Sequence, residues 1–151
     1  MAMYTTETHQ NGDLPTNTHA GMAMEVRVSL TFATAITLAL GDVIRLAKLP
    51  ANYALTNVEL DIDSLGAAAV GSVGLLNAAE TAVEKPTHTG QNLAVAGVFI
   101  GNKMDARRTP IDEENSTTIG VVITTAASAA LAQGAVIGAT IRYRAKQVIE
   151  A

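Results

Sequence analysis

The chain has 151 residues, about the size of one domain. It holds no cysteine, which excludes disulfides and thiolate metal sites, and its net charge of −4 shows no basic excess of the kind that binds nucleic acid. Hydrophobic residues reach 48% but aromatics only 3%, so Ala, Val, Leu and Ile must fill the core; such a core buries less area per residue, and help from oligomerisation or a host surface is expected.

Residues 1–24 carry Thr, His, Asn, Gly and Pro, with Glu7 and Asp13 but neither Lys nor Arg, and show no periodicity. They read as an extended polar N-terminal arm ahead of a body spanning 25–151. A polar segment rarely orders itself, so the arm is expected to lie pinned along a neighbouring molecule. From Met24 the pattern changes. Met24, Val26, Val28, Leu30 and Phe32 share one parity, with Glu25, Arg27, Ser29 and Thr31 between them. Strict alternation predicts a half-buried strand, and the parity continues through Ile36, Leu38 and Leu40. Gly41-Asp42 is a turn signal. Val43 to Leu49 predicts a second strand, stopped by Pro50, and Asn57 to Asp63 a third, ended by Gly66. Val70 to Leu76 is a weaker strand, loosened by Gly71 and Gly74.

Residues 77–92 fit a helical turn or a loop, punctuated by Pro86 and Gly90. Leu93 to Ile100, LAVAGVFI, is a nearly continuous apolar run and predicts a buried strand, with a short helix as the alternative. Residues 101–117 form the most polar loop. Thr118 to Thr124 is a further strand, AASAALAQG is a helix or a turn, and the stretch from Ala135 to Val148 closes with strict alternation. Seven or eight short strands with turn signals between them predict an all-β antiparallel sandwich, a jelly roll being the usual package for about eight.

Two rows of charge stand out. Glu59, Asp61 and Asp63 alternate with apolar residues, about 7 Å apart at ~3.3–3.4 Å per residue, too far for one ion to bind all three. Asp61, Asp63 and Gly66 echo a calcium loop, but its fifth place is Leu65 and its twelfth is Ser72, where a bidentate Glu is required. The row reads as the solvated face of a strand. Arg142, Arg144 and Lys146 form a second row of opposite sign and equal spacing. The rows could pair across neighbouring strands, meet across a subunit boundary, or stand as independent wet faces.

No catalytic set is visible. The Gly-x-Ser-x-Gly elbow, the phosphate-binding loop and the dinucleotide fingerprint are all missing. His9, His19 and His88 are scattered without ligand spacing and read as polar surface residues, and Asp42 reads as a turn residue. No cofactor, metal or catalytic residue is therefore expected. Apolar runs are broken well before the 18 residues of a membrane helix, and MAMYTTETHQ has no secretory pattern. Synthesis in the cytosol is expected.

The run GDVIRLAKLPANYALTNVELDIDSLG at 41–66 resembles a segment found in structural proteins of tailed bacteriophage virions: Gly-Asp, a β run ending in Leu-Pro, a short bridge, then an alternating strand ending near Gly. GVVITTAASAALAQGAVIGATIRYR resembles their closing strand pair. Together the two cover about half the chain. The family implied is the small capsid decoration, or cement, proteins, which are typically all-β, often jelly rolls, and bind between capsomers. The resemblance implies a non-enzymatic role on the capsid exterior, with the major capsid protein and further copies of the chain, as dimer or trimer, for partners. A head fibre or adhesin binding host glycans, and a tail or neck ring component, are the alternatives. In the cement reading Tyr4 and Leu14 would be small apolar anchors on a neighbour, and the charge rows would be docking surfaces. Deleting residues 1–23 would then weaken capsid binding and leave the body folded.

Overall fold

The computed structural model describes residues 1–16, 23–108, 112 and 114–145. Among these are nine strands: β1 (Met3–Thr5), β2 (Ala23–Thr31), β3 (Val43–Leu49), β4 (Tyr53–Ile62), β5 (Val70–Leu76), β6 (Val83–Asn92), β7 (Gly97–Ile100), β8 (Thr117–Thr125) and β9 (Val136–Ala145). Two single-turn helices, α1 (Glu7–Gln10) and α2 (Asp105–Arg108), sit in connections. The strands form two sheets, ordered β1-β3-β8-β5-β6 and β2-β9-β4-β7.

The topology follows one rule. Strands β2 to β9 pair antiparallel from the outside inwards: β2 with β9, β3 with β8, β4 with β7, β5 with β6. That is one long hairpin of strands. Wrapping it so that β9 also meets β4, and β8 also meets β5, closes two four-stranded sheets. This is a jelly-roll sandwich, with β1 added in parallel to the edge at β3. The alternation seen in the sequence supplies the core. Val28, Val58, Leu60, Ile137 and Ile141 point inward from one sheet; Leu46, Val73, Ile119 and Val121 answer from the other. Strand β8 is buried on both faces, because Val122 packs outside the sheet with Val43, Leu76 and Val83.

Residues 1–16 take a different course from the extended arm read in the sequence: they lie on the chain's own body. β1 runs alongside β3, and Asp13 bridges to Lys48. Thr6 caps α1, accepting from the His9 N–H, and its hydroxyl donates to the Leu46 carbonyl. Asp42 accepts from the N–H of Ala2 (2.8 Å) as well as from Ala39 (2.9 Å), so the turn residue also ties down the N-terminus. Leu14 is 2% exposed within the main core. The backbone polar groups that make this segment look solvent-loving are satisfied by the edge of β3, and one leucine supplies the apolar anchor.

Two further expectations change. Residues 83–92 are a strand, not a turn or loop. Pro86 is tolerated there because β6 is an edge strand, where a missing N–H costs no ladder bond, and three register shifts against β5 absorb the irregularity. Of LAVAGVFI only Gly97–Ile100 forms a strand; it is an edge strand, with Val98 and Ile100 exposed on its outer side. The stretch AASAALAQG is turn and irregular chain, held by main-chain bonds such as Ala127 N–H to Leu38 O and Leu131 N–H to Ile36 O.

Candidate interaction surface

The β2-β9-β4-β7 sheet turns one face to the core and the other outward. Register brings both charge rows onto that outer face, on adjacent strands β4 and β9, but not opposite one another. Glu59 faces Thr140, Asp61 faces Gly138, Arg142 faces Asn57 and Arg144 faces Ala54. The partners come instead from β2, whose charges alternate with its apolar residues. Arg142 lies directly opposite Glu25 and its Nε donates to that carboxylate at 2.8 Å. The hydrogen bond and charge of Glu25, with Glu59 further off, push the guanidinium pKa up. Arg27 reaches over β9 to Asp61 at 2.7 Å. The crossing point is Gly138, where a Cβ would collide with both the guanidinium and the carboxylate.

Asp63 leaves the row: its carboxylate accepts from the Val136 N–H (2.9 Å), capping the start of β9. Arg144 is exposed and shares a hollow with Arg107, whose Nε donates to the Thr56 carbonyl at 2.6 Å. Lys146 lies outside the described residues. The face is thus a flat lattice of exposed ion pairs with a basic end. Each such pair contributes only about 0–1 kcal/mol, so the lattice shapes a surface more than it holds the fold.

The two candidate anchors turn inward. Tyr4 is half-buried with its ring edge-on to Phe32, centroids 5.5 Å apart and planes at 70°. Burial, then the charge of Asp42, pushes its phenol pKa up. Leu14 offers no surface to a neighbour in this conformation. Beside it, the buried ring of Tyr143 donates its hydroxyl to the Pro15 carbonyl at 2.6 Å.

Sequence reasoning also missed a polar network under α1. His9 is buried, not a surface residue, and its Nε2 lies 3.1 Å from the Thr118 hydroxyl. That hydroxyl donates to Glu80 (2.7 Å), which in turn pairs with Arg45 at 2.7 Å. His88 is buried as well, between the Thr87 hydroxyl and the Phe99 carbonyl. The sequence held one clue: Thr6-Glu7 is an N-cap followed by a first-turn acid, the start of a helix within the supposed arm. His19 lies outside the described residues. Among the described residues no three His, Asp or Glu gather to hold a metal ion. A recess of about 380 Å³ opens near Glu80, walled by Leu49, Tyr53, Leu75, Glu84 and Lys85 among others.

No family model matches the chain, and no curated protein matches it. Solved structures do. A chain in the "Capsid of Ralstonia phage GP4" shares the fold with a TM-score of 0.75 at 22% identity, over 97% of this chain and 100% of that one. A chain in the "Cyanophage Pam1 capsid asymmetric unit" matches with a TM-score of 0.56 at 20% identity, over 87% and 91%. At these identities the likeness is one of fold.

Proposed function

We propose that the chain is a non-enzymatic structural protein of a bacteriophage virion that binds the outside of the capsid and stabilises it. One observation carries this reading: 97% of the chain shares its fold with the full length of a chain found in a phage capsid. The physical character of the molecule supports it. The body is a stiff sandwich whose outward sheet carries a mixed-charge lattice, a surface suited to register and partner choice more than to chemistry.

In this reading the partners are the major capsid protein and further copies of the chain, and the site is the virion exterior after synthesis in the host cytoplasm. The docking surface is the lattice of Glu59, Asp61, Arg142 and Arg144. Tyr4 and Leu14 serve indirectly, by holding residues 1–16 to the body. The test is a reconstruction of the particle that carries this chain, at a resolution that traces it. It is expected to show the sandwich seated on the outer shell. A position in the tail or neck, or a freely projecting spike, would sink the cement reading in favour of a ring component or an adhesin. Arg144→Glu is expected to lower capsid affinity at least about tenfold, or ~1.4 kcal/mol, measured as protein retained on washed particles. Full retention would mean that this end of the face is solvated.

A further inference from the structure

A nearly continuous apolar strand is expected to be buried on both faces. Strand β8 obeys that rule within this chain, having the core on one side and the Val43–Leu76 cluster on the other. Strand β7 breaks it. Its flanks and strand, LAVAGVFI, are as apolar as β8, yet Val95, Val98, Ile100 and Met104 each leave more than half of their surface to solvent. They supply four of the seven exposed large apolar side chains among the described residues.

The same strand is an open edge. Gly101 N–H bonds to Val58 O, and antiparallel alternation then turns Phe99 toward β4 and the main-chain groups of Val98 and Ile100 toward the free side. The other three edges carry the usual protections. β2 sets Glu25 and Arg27 along its length, β6 has Glu84, Lys85 and Pro86 with its register shifts, and β1 is three residues long. From Leu93 to Gly101 there is neither charge nor proline.

From these observations we infer that β7 is a self-association edge, pairing antiparallel with β7 of a second copy of this chain about a two-fold axis. The pairing that matches the open groups sets Val98 opposite Ile100 of the second copy and Ile100 opposite its Val98. Both pairs then lie on one side of the joined sheet, and about four main-chain hydrogen bonds form. An uncharged strip calls for an uncharged partner, and a two-fold supplies one with identical spacing. The nearest like charges are no obstacle: Glu59 and Asp61 lie on β4, so each is three strand spacings from its counterpart, roughly 14 Å and beyond the screening length of about 8 Å at physiological salt. Each patch is on the scale of a few hundred Å². Two of them fall below the ~1,200 Å² of a stable specific complex, so the dimer is weak and concentration-dependent. This inference stands apart from the virion reading, because it concerns the isolated chain.

The test uses sedimentation equilibrium of the full chain and of Val98→Lys/Ile100→Lys, whose side chains are exposed in the monomer. The native chain is expected to dimerise with rising concentration, and the double variant to lose at least tenfold in association at unchanged circular dichroism. Because the native chain lacks cysteine, register is tested by adding one per chain. Val98→Cys mixed with Ile100→Cys is expected to give a disulfide between the two variants, well ahead of either variant alone. A native chain that stays monomeric to its solubility limit overturns the inference. So does a dimer indifferent to the lysines, or equal cross-linking of each cysteine variant with itself. Capture of the β7 edge by a different protein, with no self-association, overturns it too and points to a heterologous strand partner.

Discussion

His9 shows how far a single residue's role depends on what lies above it. Burial first, then Lys48 and Arg45, hold its pKa below the ordinary histidine value, with Glu80 acting in the opposite direction. His88 is lowered as well, by burial against the Phe99 carbonyl bond. A histidine kept neutral by the fold takes up its proton more readily once unfolded. The unfolded chain therefore binds more protons below about pH 6.5, the unfolded value. Stability is full above that pH and is lost as pH falls from there through the folded pKa values. Thermal melts are expected to show Tm falling between pH 7 and pH 5. His9→Gln is expected to flatten that slope, and an unchanged slope would remove His9 from the account. Leu14 is the second residue of this kind. Leu14→Ala is expected to cost about 2–5 kcal/mol, as for other fully buried leucines, and to open residues 1–16 to protease. A loss under about 1 kcal/mol in denaturant titration would show that the side chain packs loosely.

Strands gain meaning from the side they leave uncovered. At the element scale the informative glycines are Gly74 and Gly138. Gly74 has φ +155°, and a Cβ there would strike the Lys85 carbonyl and Pro86 of the neighbouring strand. Neither group can move without breaking the β5–β6 register, so Gly74→Ala is expected to destabilise by about 3 kcal/mol or more. At Gly138 the obstacles are the far ends of Arg27 and Asp61. These swing aside, and Gly138→Ala is expected to cost no more than the ion pair, under about 1 kcal/mol. Paired denaturation curves decide the contrast, and equal losses would contradict it.

The sandwich as a whole is closed on one side by its own N-terminus. Residues 1–16 occupy the edge of β3, and Tyr4 packs edge-on against Phe32, the residue just past β2. A chain with no disulfide and only 3% aromatics has little reserve against the loss of these contacts. Deleting residues 1–16 is therefore expected to destabilise the body, in contrast to the removable arm read in the sequence. Leu14 alone represents about 2–5 kcal/mol, and at about 2–4 °C per kcal/mol the drop in Tm should reach roughly 10 °C. An unchanged Tm would restore the segment to the status of an appendage. The fold likeness to phage capsid chains concerns this same whole, since it extends over 97% of the chain in one case.

Period-two alternation in 24–32, in 57–63 and from Ala135 on, with the apolar runs 43–49, 70–76 and 118–124 between turn signals, was enough to place six strands and the all-β class, because side-chain direction along a strand is a local property. Composition likewise settled that the core would be aliphatic and free of disulfides. What required the tertiary structure was every choice of partner. The charge rows look complementary in one dimension, yet register gives Arg142 to Glu25 and Asp61 to Arg27, since a partner is set by strand order and not by spacing. The polar stretch 1–16 looks unfoldable because its backbone bonds, such as Thr6 N–H to Arg45 O and Leu14 N–H to Lys48 O, go to β3, far away in sequence. Pro86 looked like a breaker because nothing local says that β6 lies at an edge. For LAVAGVFI the local pattern demanded burial on both faces, and the fold of one chain supplies only one.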